Sequence, residues 1–273
     1  MSTFICSLAS GSLGNALLVA TDRTQILVDL GISRRRLKAG LAAVGAAPEG
    51  IRAVLLTHTH HDHISASAAA WCLGRRVPVY STGDNLAHLA YDLDGFAELV
   101  AAGLAQPIDG QTLRIGDVTV DSFPVPHDSA GQCLGFRLTL GRSRPRRAVA
   151  VATDLGHVPE GCLPAFLDAD AVVLESNHDP RMLRASGRPP DLIERIAGPR
   201  GHLSNGDCAE ALAQIVARSH PGRVSSVVLA HLSRDCNRPR LALAAQAHLA
   251  RSHSHPIRFT AASQDEVGPV IAL

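Results

Sequence analysis

Short apolar runs separated by turn residues make up most of the first third of the chain, and they return after residue 116. Apolar and β-branched side chains fill these runs, which is typical of buried strands. The strands predicted in this way are 3–9, 16–21, 24–31, 51–57, 77–82, 117–125, 134–141, 147–154, 169–176 and 225–231.

Helices are predicted where apolar residues recur every three or four positions. They are 33–45, 65–76 with Ser65 as its N-cap, 159–168, 205–219 and 238–252. Because strands come in groups with helices between the groups, the pattern favours two sheets with helices packed outside over one doubly wound sheet. The arginine-rich stretch from Gly141 to Ala148 is predicted to be a hairpin tip.

Length and composition narrow the possible classes. A chain of 273 residues can form one large domain or two. Its formal net charge of +1 gives no overall electrostatic attraction to nucleic acid or to an anionic membrane. We expect one domain over residues 1–273. Lys38 is the single lysine, which argues against a Schiff-base or lysine-nucleophile mechanism.

The six cysteines are scattered without a Cys-x-x-Cys pair, which favours reduced thiols in a cytosolic protein. The N-terminus lacks the pattern of a signal peptide, and no apolar run reaches the roughly 18 residues of a membrane span. A cytoplasmic protein without membrane association is therefore expected, and its oligomeric state stays open.

Four histidines and an aspartate lie within six residues directly after the fourth predicted strand, in the sequence HTHHDH. Alternation along an extended chain sends His58 and His60 to one side, while Asp62 and His63 lie where the chain turns toward the next helix. Imidazoles and carboxylates are ligands of divalent metals, so the pattern predicts a site for two ions. His61 faces away from the pattern and is predicted to be a bystander.

Other strand ends offer further candidate ligands. His127 follows one apolar strand, and Asp154 and His231 each end another. Taken singly, each is also an ordinary turn residue. The three converge on the histidine motif only if these strand ends lie along one edge of the fold.

These motifs resemble those of the metallo-β-lactamase fold superfamily of metallohydrolases. More closely, the chain is similar to the WalJ/YycJ-type branch, which is related to tRNA 3′-processing endonuclease and phosphodiesterase families. The motifs that carry this resemblance run from Leu8 to Asn237 and include SLASGSLGN, LLTHTHHDH, TDLGHVP, LESNHDPRMLR, GHLSNGDCAEAL and LAHLSRDCN. The resemblance implies an α/β fold, a four-layer αββα sandwich, with the site along one edge of its two sheets.

The resemblance also implies a ligand set. It assigns His58, His60 and His127 to one ion, Asp62, His63 and His231 to the other, and Asp154 as the bridge. Zinc or manganese fits these ligands, and iron is possible. Asp62 beside His63 indicates hydrolysis, because flavodiiron oxidoreductases of the same fold carry a glutamate-containing version of the motif. Asp62 is also predicted to be a catalytic residue. His61 departs from relatives, which often carry Ser or Ala there.

The function that the resemblance implies is a dinuclear metal-dependent hydrolase, specifically a phosphodiesterase or DNA exonuclease. Two divalent ions roughly 3.5–4 Å apart would lower the pKa of a shared water and hold it as a bridging hydroxide. His202 is the candidate proton donor to the leaving oxygen, because the site otherwise lacks a general acid. Alternatively, His202 caps the helix that begins near Asp207 or forms a hydrogen bond within a loop.

Candidate substrate-binding residues are less sharply defined. Asn15 either shapes a tight hairpin or lies near the site and orients a ligand. Asn177 and His178 are candidates to contact phosphate, and Arg181 and Arg184 to contact the flanking backbone, although exposed arginines often form only a solvated face. With only 3% aromatic residues, the chain favours backbone contacts or a short substrate over extensive base stacking.

Two alternative functions stay open. The same dinuclear site supports hydrolysis of a small ester, lactone, thioester or cyclic phosphodiester, which would require a closed and more apolar pocket. A non-catalytic, metal-stabilised regulatory protein is the other, and the seven filled ligand positions argue against it. An exonuclease instead needs an open groove with basic groups beside the metals.

Overall fold

The computed structural model describes residues 3–141, 146–252 and 255–273. Fourteen strands are found in these ranges: β1 (Phe4–Ala9), β2 (Ala16–Ala20), β3 (Gln25–Val28), β4 (Ile51–Leu55), β5 (Val79–Ser81), β6 (Ala105–Pro107), β7 (Leu113–Ile115), β8 (Val118–Val125), β9 (Cys133–Leu140), β10 (Arg147–Ala152), β11 (Ala171–Glu175), β12 (Ser226–Ala230), β13 (Arg258–Ala261) and β14 (Ile271–Ala272). They form two seven-stranded sheets, in the orders β14-β1-β2-β3-β4-β5-β6 and β13-β12-β11-β10-β9-β8-β7.

Helices cover the outer faces of both sheets. They are α1 (Arg34–Ala43), α2 (Ala66–Arg75), α3 (Gly83–Asp92), α4 (Phe96–Ala101), α5 (Leu163–Phe166), α6 (Pro180–Arg184), α7 (Pro190–Ala197), α8 (Asn205–Arg218), α9 (Pro239–Ala245) and α10 (Ala247–Ser252), with short 3₁₀ turns at Pro48–Gly50 and Glu160–Cys162. As predicted, Ser65 caps α2, because its hydroxyl accepts a hydrogen bond from the amide of Ala68 (3.3 Å).

Three apolar layers hold the fold together. Helices α1 to α4 bury side chains such as Trp71 and Phe96 against the first sheet. Ile26 and Phe136 belong to a second layer that fills the space between the sheets. Helices α5, α8 and α9 cover the second sheet, with Leu212 in the third layer. This arrangement confirms the predicted αββα sandwich.

Strand direction brings the predicted strand ends to common edges. Strand β3 runs parallel to β4, and β10, β11 and β12 run parallel to one another. Strand β8 is antiparallel to β9, which is antiparallel to β10, so β8 and β10 also share a direction. The carboxyl ends of β3 and β4 therefore lie at one edge of the first sheet, and those of β8, β10, β11 and β12 lie at one edge of the second sheet.

The sequence prediction differs from the structure in several elements. The helix predicted at 159–168 is a 3₁₀ turn followed by the four-residue α5, because Pro164 lacks an amide hydrogen and interrupts the helical bonding. Gln246 divides the helix predicted at 238–252 into α9 and α10. Helices α3, α4, α6 and α7 were not among the predicted helices. Most of the predicted hairpin tip, residues 142–145, lies outside the described residues.

Two further expectations concern the chemistry of the chain. All six cysteines are buried and free, as predicted for reduced thiols. Among the helices of the described ranges, none has the length and apolar character needed to cross a lipid bilayer.

Candidate metal centre

The loop after β4 carries the histidine motif to the edge of the first sheet. The Nε2 atom of His58 and the Nδ1 atom of His60 lie 3.0 Å apart. The ring of His127, which follows β8, lies 5.2 Å from each of these two rings. One ligand atom from each of the three histidines falls within 4.8 Å of the others, so a single ion fits among them.

A second group of ligand atoms forms on the other side of the same loop. The Nε2 atom of His231 lies 3.3 Å from Oδ2 of Asp62, and the Nε2 atom of His63 lies 3.5 Å from the same oxygen. His63 and His231 are buried, whereas the Asp62 side chain keeps 20% of its surface exposed. This group also has the spacing of a metal site.

Asp154 lies between the two groups. Its Oδ2 atom is 3.2 Å from Nε2 of His63, and its Oδ1 atom is 3.3 Å from Nδ1 of His231. Asp154 also shares a ligand group with His58 and His63. The structure thus brings together all seven residues predicted as ligands; their binding of metal remains a prediction.

Backbone strain occurs at the strand ends that reach this centre. Asp29, Asp154 and His231 have positive φ angles of 61°, 59° and 53°. This left-handed conformation is uncommon for residues other than glycine, and strain of about 1–3 kcal/mol per residue is found mainly at functional sites. The left-handed backbone conformation therefore directs these three side chains toward the centre.

Two buried atoms of the centre accept no hydrogen bond from the described residues, namely Nε2 of His127 and Oδ2 of Asp154, although Nε2 of His63 lies 3.2 Å from the latter. A buried polar atom without a partner destabilises a fold by about 1–3 kcal/mol. The other nitrogen of His127, Nδ1, donates a hydrogen bond to the carbonyl of Gly201 (3.0 Å), which leaves Nε2 as the free acceptor. Unpaired acceptors that converge in this way fit divalent cations.

Two carboxylates that the sequence analysis did not identify hold the histidines in place. Asp29, after β3, accepts from Nδ1 of His63 (2.8 Å) and from the amide of Thr57 (2.9 Å). Glu175, the fully buried last residue of β11, lies 2.8 Å from Nδ1 of both His202 and His231. The sequence signal that could have identified these two carboxylates is an acidic residue at the end of an apolar strand, the same signal that identified Asp154.

The carboxylates concentrate negative charge at this point. Burial opposes protonation of His63, but the carboxylates around it, led by Asp29, raise its pKa well above the usual value. Burial also disfavours the charged form of Glu175, yet its interactions with His202 and His231 bring its pKa to about 2. The carboxylates therefore attract positive charge, which either protons on the imidazoles or divalent cations can supply.

His202 lies beside both groups of ligands. Its ring is 5.0 Å from the ring of His127 and 5.4 Å from that of His231, and Nδ1 is 3.7 Å from Oδ1 of Asp154. Helix α8 is capped by Ser204, which forms a capping box with Asp207, so His202 is not the helix cap. Its role as a proton donor stays a prediction.

The predicted substrate-binding residues occupy different environments. Asn15 is buried and its Nδ2 donates to Oδ2 of Asp62 (3.3 Å) and to the carbonyl of Gly11 (3.2 Å), so it both orients a predicted ligand and shapes its turn. Asn177 is buried and donates to the carbonyl of His231 (3.0 Å). His178 is also buried.

Arg181 and Arg184 lie on α6 and are exposed to solvent. His61 is exposed and stands outside both groups of ligands. No contact in the structure tests whether any of the predicted residues binds substrate, and these assignments stay predictions.

Comparison with known proteins gives the chain a family. A model described as the beta-lactamase superfamily domain matches residues 24–231. The exodeoxyribonuclease WalJ of Streptococcus pneumoniae is 31% identical over 86% of this chain and 83% of its own length, and the exodeoxyribonuclease YycJ of Bacillus anthracis is 32% identical over 86% and 84%. The metallo-beta-lactamase fold protein YhfI of Bacillus subtilis superposes with a TM-score of 0.67 at 17% identity, over 99% of both chains.

Proposed function

Because this chain belongs to the beta-lactamase superfamily, we propose that it is a metal-dependent phosphodiesterase that acts on DNA as an exonuclease. Two relatives with about one third of their residues identical to this chain are named exodeoxyribonucleases. The observation that carries the proposal is the convergence of two groups of buried ligand atoms, with unpaired acceptors on His127 and Asp154.

Seven residues would hold the ions. They are His58, His60 and His127 for one ion, Asp62, His63 and His231 for the other, and Asp154 between them. When bound, two divalent ions supply an activated water and positive charge for the substrate phosphate. Zinc and manganese suit these nitrogen and oxygen donors, and iron is also compatible.

His202 would deliver a proton to the leaving oxygen. Glu175 accepts from Nδ1, which fixes the ring and leaves Nε2 as the atom that transfers the proton. The His202 side chain is 21% exposed whereas that of His231 is 3% exposed, so a substrate can approach His202 more readily. Asp62 would act in catalysis while Asn15 orients its carboxylate.

Basic groups beside the loop after β8, which carries His127, support an anionic substrate. The guanidinium of Arg200 donates to the carbonyl of His127 (3.0 Å), and Arg195 forms an ion pair with the neighbouring Asp128. Guanidinium groups suit phosphate oxygens in geometry and charge. Arg181 and Arg184 would extend this contact along the substrate backbone, and Asn177 and His178 would contact phosphate.

The cytoplasmic location and the single domain over residues 1–273 belong to the same proposal. Six free, buried cysteines are compatible with a reducing compartment. The apolar layer that both sheets share supports one domain.

The substrate class is tested with purified protein loaded with zinc or manganese. End-labelled DNA, bis-p-nitrophenyl phosphate and a panel of lactones are incubated in parallel with the wild type and with His127→Ala. We expect the wild type to cleave both phosphodiesters and the variant to lose that activity. Hydrolysis of lactones alone would replace the proposal with a small-ester hydrolase, and metal binding without any turnover would favour a regulatory protein.

A further inference from the structure

A cavity of about 270 Å³ opens next to the candidate metal centre. It lies between helix α3, the loop after β8 and the loop after β4 that carries the histidine motif, residues 58–63, which we call the ligand loop. His60 lines this cavity and also belongs to the first group of ligand atoms. A molecule held in the cavity would therefore lie directly beside whatever binds at the metals.

One side of the cavity is apolar. Leu89 and Leu93 line it from α3 and the end of that helix, and Ala130 lines it from the loop after β8. Thr59 joins the two loops, since its hydroxyl donates to the carbonyl of Ala130 (3.4 Å) and lies 3.3 Å from the hydroxyl of Ser129. The cavity wall thus consists of elements that are bonded to each other.

Two imidazoles line the other side. His61 is the residue of the motif that joins neither group of ligands, and within the described parts of the chain its ring has no hydrogen-bond or ion-pair partner. His88 is paired through Nε2 with Asp92 at 3.1 Å, which leaves Nδ1 available. The cavity therefore combines flat π faces and polar atoms with an apolar wall.

We propose that this cavity binds the nucleobase of the nucleotide whose phosphate lies at the metal centre, an inference that rests on the proposed DNA phosphodiesterase function. Flat bases stack on imidazole and other aromatic rings, and their edges form hydrogen bonds with hydroxyl groups and ring nitrogens. A second phosphate fits less well, because Leu89 and Leu93 offer it no donor and the carboxylate of Asp92 repels it.

The size of the cavity limits how much DNA it takes. Pockets that enclose drug-sized ligands measure about 300–1,000 Å³, so this smaller cavity suits a single base. Side chains from three elements line the cavity, so the pairing edge of a bound base would face its wall. We therefore expect the bound base to be unpaired, as at the end of a strand. His61 and His88 would be the residues that select a strand end, a preference that suits an exonuclease.

The experiment compares two matched sets of labelled DNA, one with normal ends and one with an abasic terminal nucleotide, placed at the 5′ end or at the 3′ end. Cleavage is measured for the metal-loaded wild type and for His61→Ala/His88→Ala. We expect the wild type to lose about 10- to 100-fold in kcat/KM on one abasic end, from the lost stacking. The double variant should cleave normal and abasic ends alike, with unchanged metal content.

His220→Ala is the control, because His220 is paired with Asp168 (2.8 Å) much as His88 is with Asp92 but lies at the opposite ends of the strands. It should discriminate as the wild type does. Equal cleavage of normal and abasic DNA by the wild type, at the 5′ end and at the 3′ end, would overturn the base pocket and leave the phosphodiesterase function intact. If the wild type cleaves neither DNA, the proposed function fails and the pocket assignment fails with it.

Discussion

At the scale of single residues, the centre depends on carboxylates that need not touch a metal. Asp29 accepts a hydrogen bond from His63 at 2.8 Å, and Glu175 lies 2.8 Å from both His202 and His231. Such partners fix the ring orientation of a ligand histidine and increase its basicity. The residues that position the side chains of the centre therefore include carboxylates outside the seven candidate ligands.

Asp29→Asn tests this outer layer. The amide keeps the size of the carboxylate but loses its charge, so the Nδ1–H of His63 loses a charged acceptor. We expect metal affinity to fall by about 10- to 100-fold, measured by competition with a chelator. Asp117→Asn is a control, because Asp117 accepts a hydrogen bond from the hydroxyl of Thr21 (2.8 Å) but lies directly before β8, far from the carboxyl end of that strand. Equal affinities for both variants would contradict the role of Asp29.

His202→Ala separates proton transfer from metal binding. Loss of a general acid typically lowers turnover by about 10²- to 10⁴-fold, so kcat on DNA should fall in that range while two metals per chain are retained. Activity is followed by release of labelled nucleotide, and metal content by elemental analysis. His220→Ala should behave as the wild type. An active His202→Ala variant would remove this residue from the proposed chemistry.

At the scale of elements, the ligand loop is held by close backbone packing. A Cβ atom added at Gly31 would lie 1.8 Å from the carbonyl oxygen of Asp62. That carbonyl also accepts from the amide of Asn15 (2.7 Å). The turn after β3 thus fixes the position of Asp62 and leaves no room for a side chain at residue 31.

Gly31→Ala should therefore displace the ligand loop. We expect the free energy of unfolding to fall by about 1–3 kcal/mol, together with weaker metal binding. Gly74→Ala is the matched control, because a Cβ there meets nothing within 4 Å and the residue lies inside α2. That change should raise stability by about 0.5–1 kcal/mol. Chemical denaturation measures both, and a neutral Gly31→Ala would contradict the packing argument.

Elements that end at the site were predictable because their apolar runs are strong and their last residues are polar. Asp29 and Glu175 also end apolar strands, but sequence alone does not show which histidine each carboxylate contacts. These two residues could therefore not be distinguished from ordinary polar residues at strand ends. Strand β13 contains no buried residue and β14 has only two residues, so neither shows a recognisable apolar run, and β14 pairs with β1 from the far end of the chain. The cavity beside His61 depends on α3, which had not been predicted.

At the scale of the whole molecule, a nearly neutral chain buries several carboxylates close together. The formal net charge is +1, yet Asp29, Asp154 and Glu175 are all buried near one point. Buried charge is tolerated only where it is paired or binds a metal. The centre is therefore expected to couple metal binding to the stability of the whole fold.

Removal of metal tests this coupling. Treatment with a chelator should lower Tm by about 10 °C, because ligands that bind only the folded state stabilise it in proportion to the logarithm of their excess. Zinc or manganese added back should restore the original value. The variant His127→Ala/His231→Ala should show little response to either treatment, and an unchanged wild-type Tm would argue against a structural contribution from the ions.

The central claim is that two ions, held by these seven residues, make the chain a phosphodiesterase. Metal-free protein is titrated with zinc or manganese while bound metal and cleavage of labelled DNA are measured in the same samples. We predict that activity rises to its maximum as the second equivalent binds, and that His231→Ala binds a single equivalent without activity. Full activity in the absence of metal, or at one equivalent, would contradict the claim.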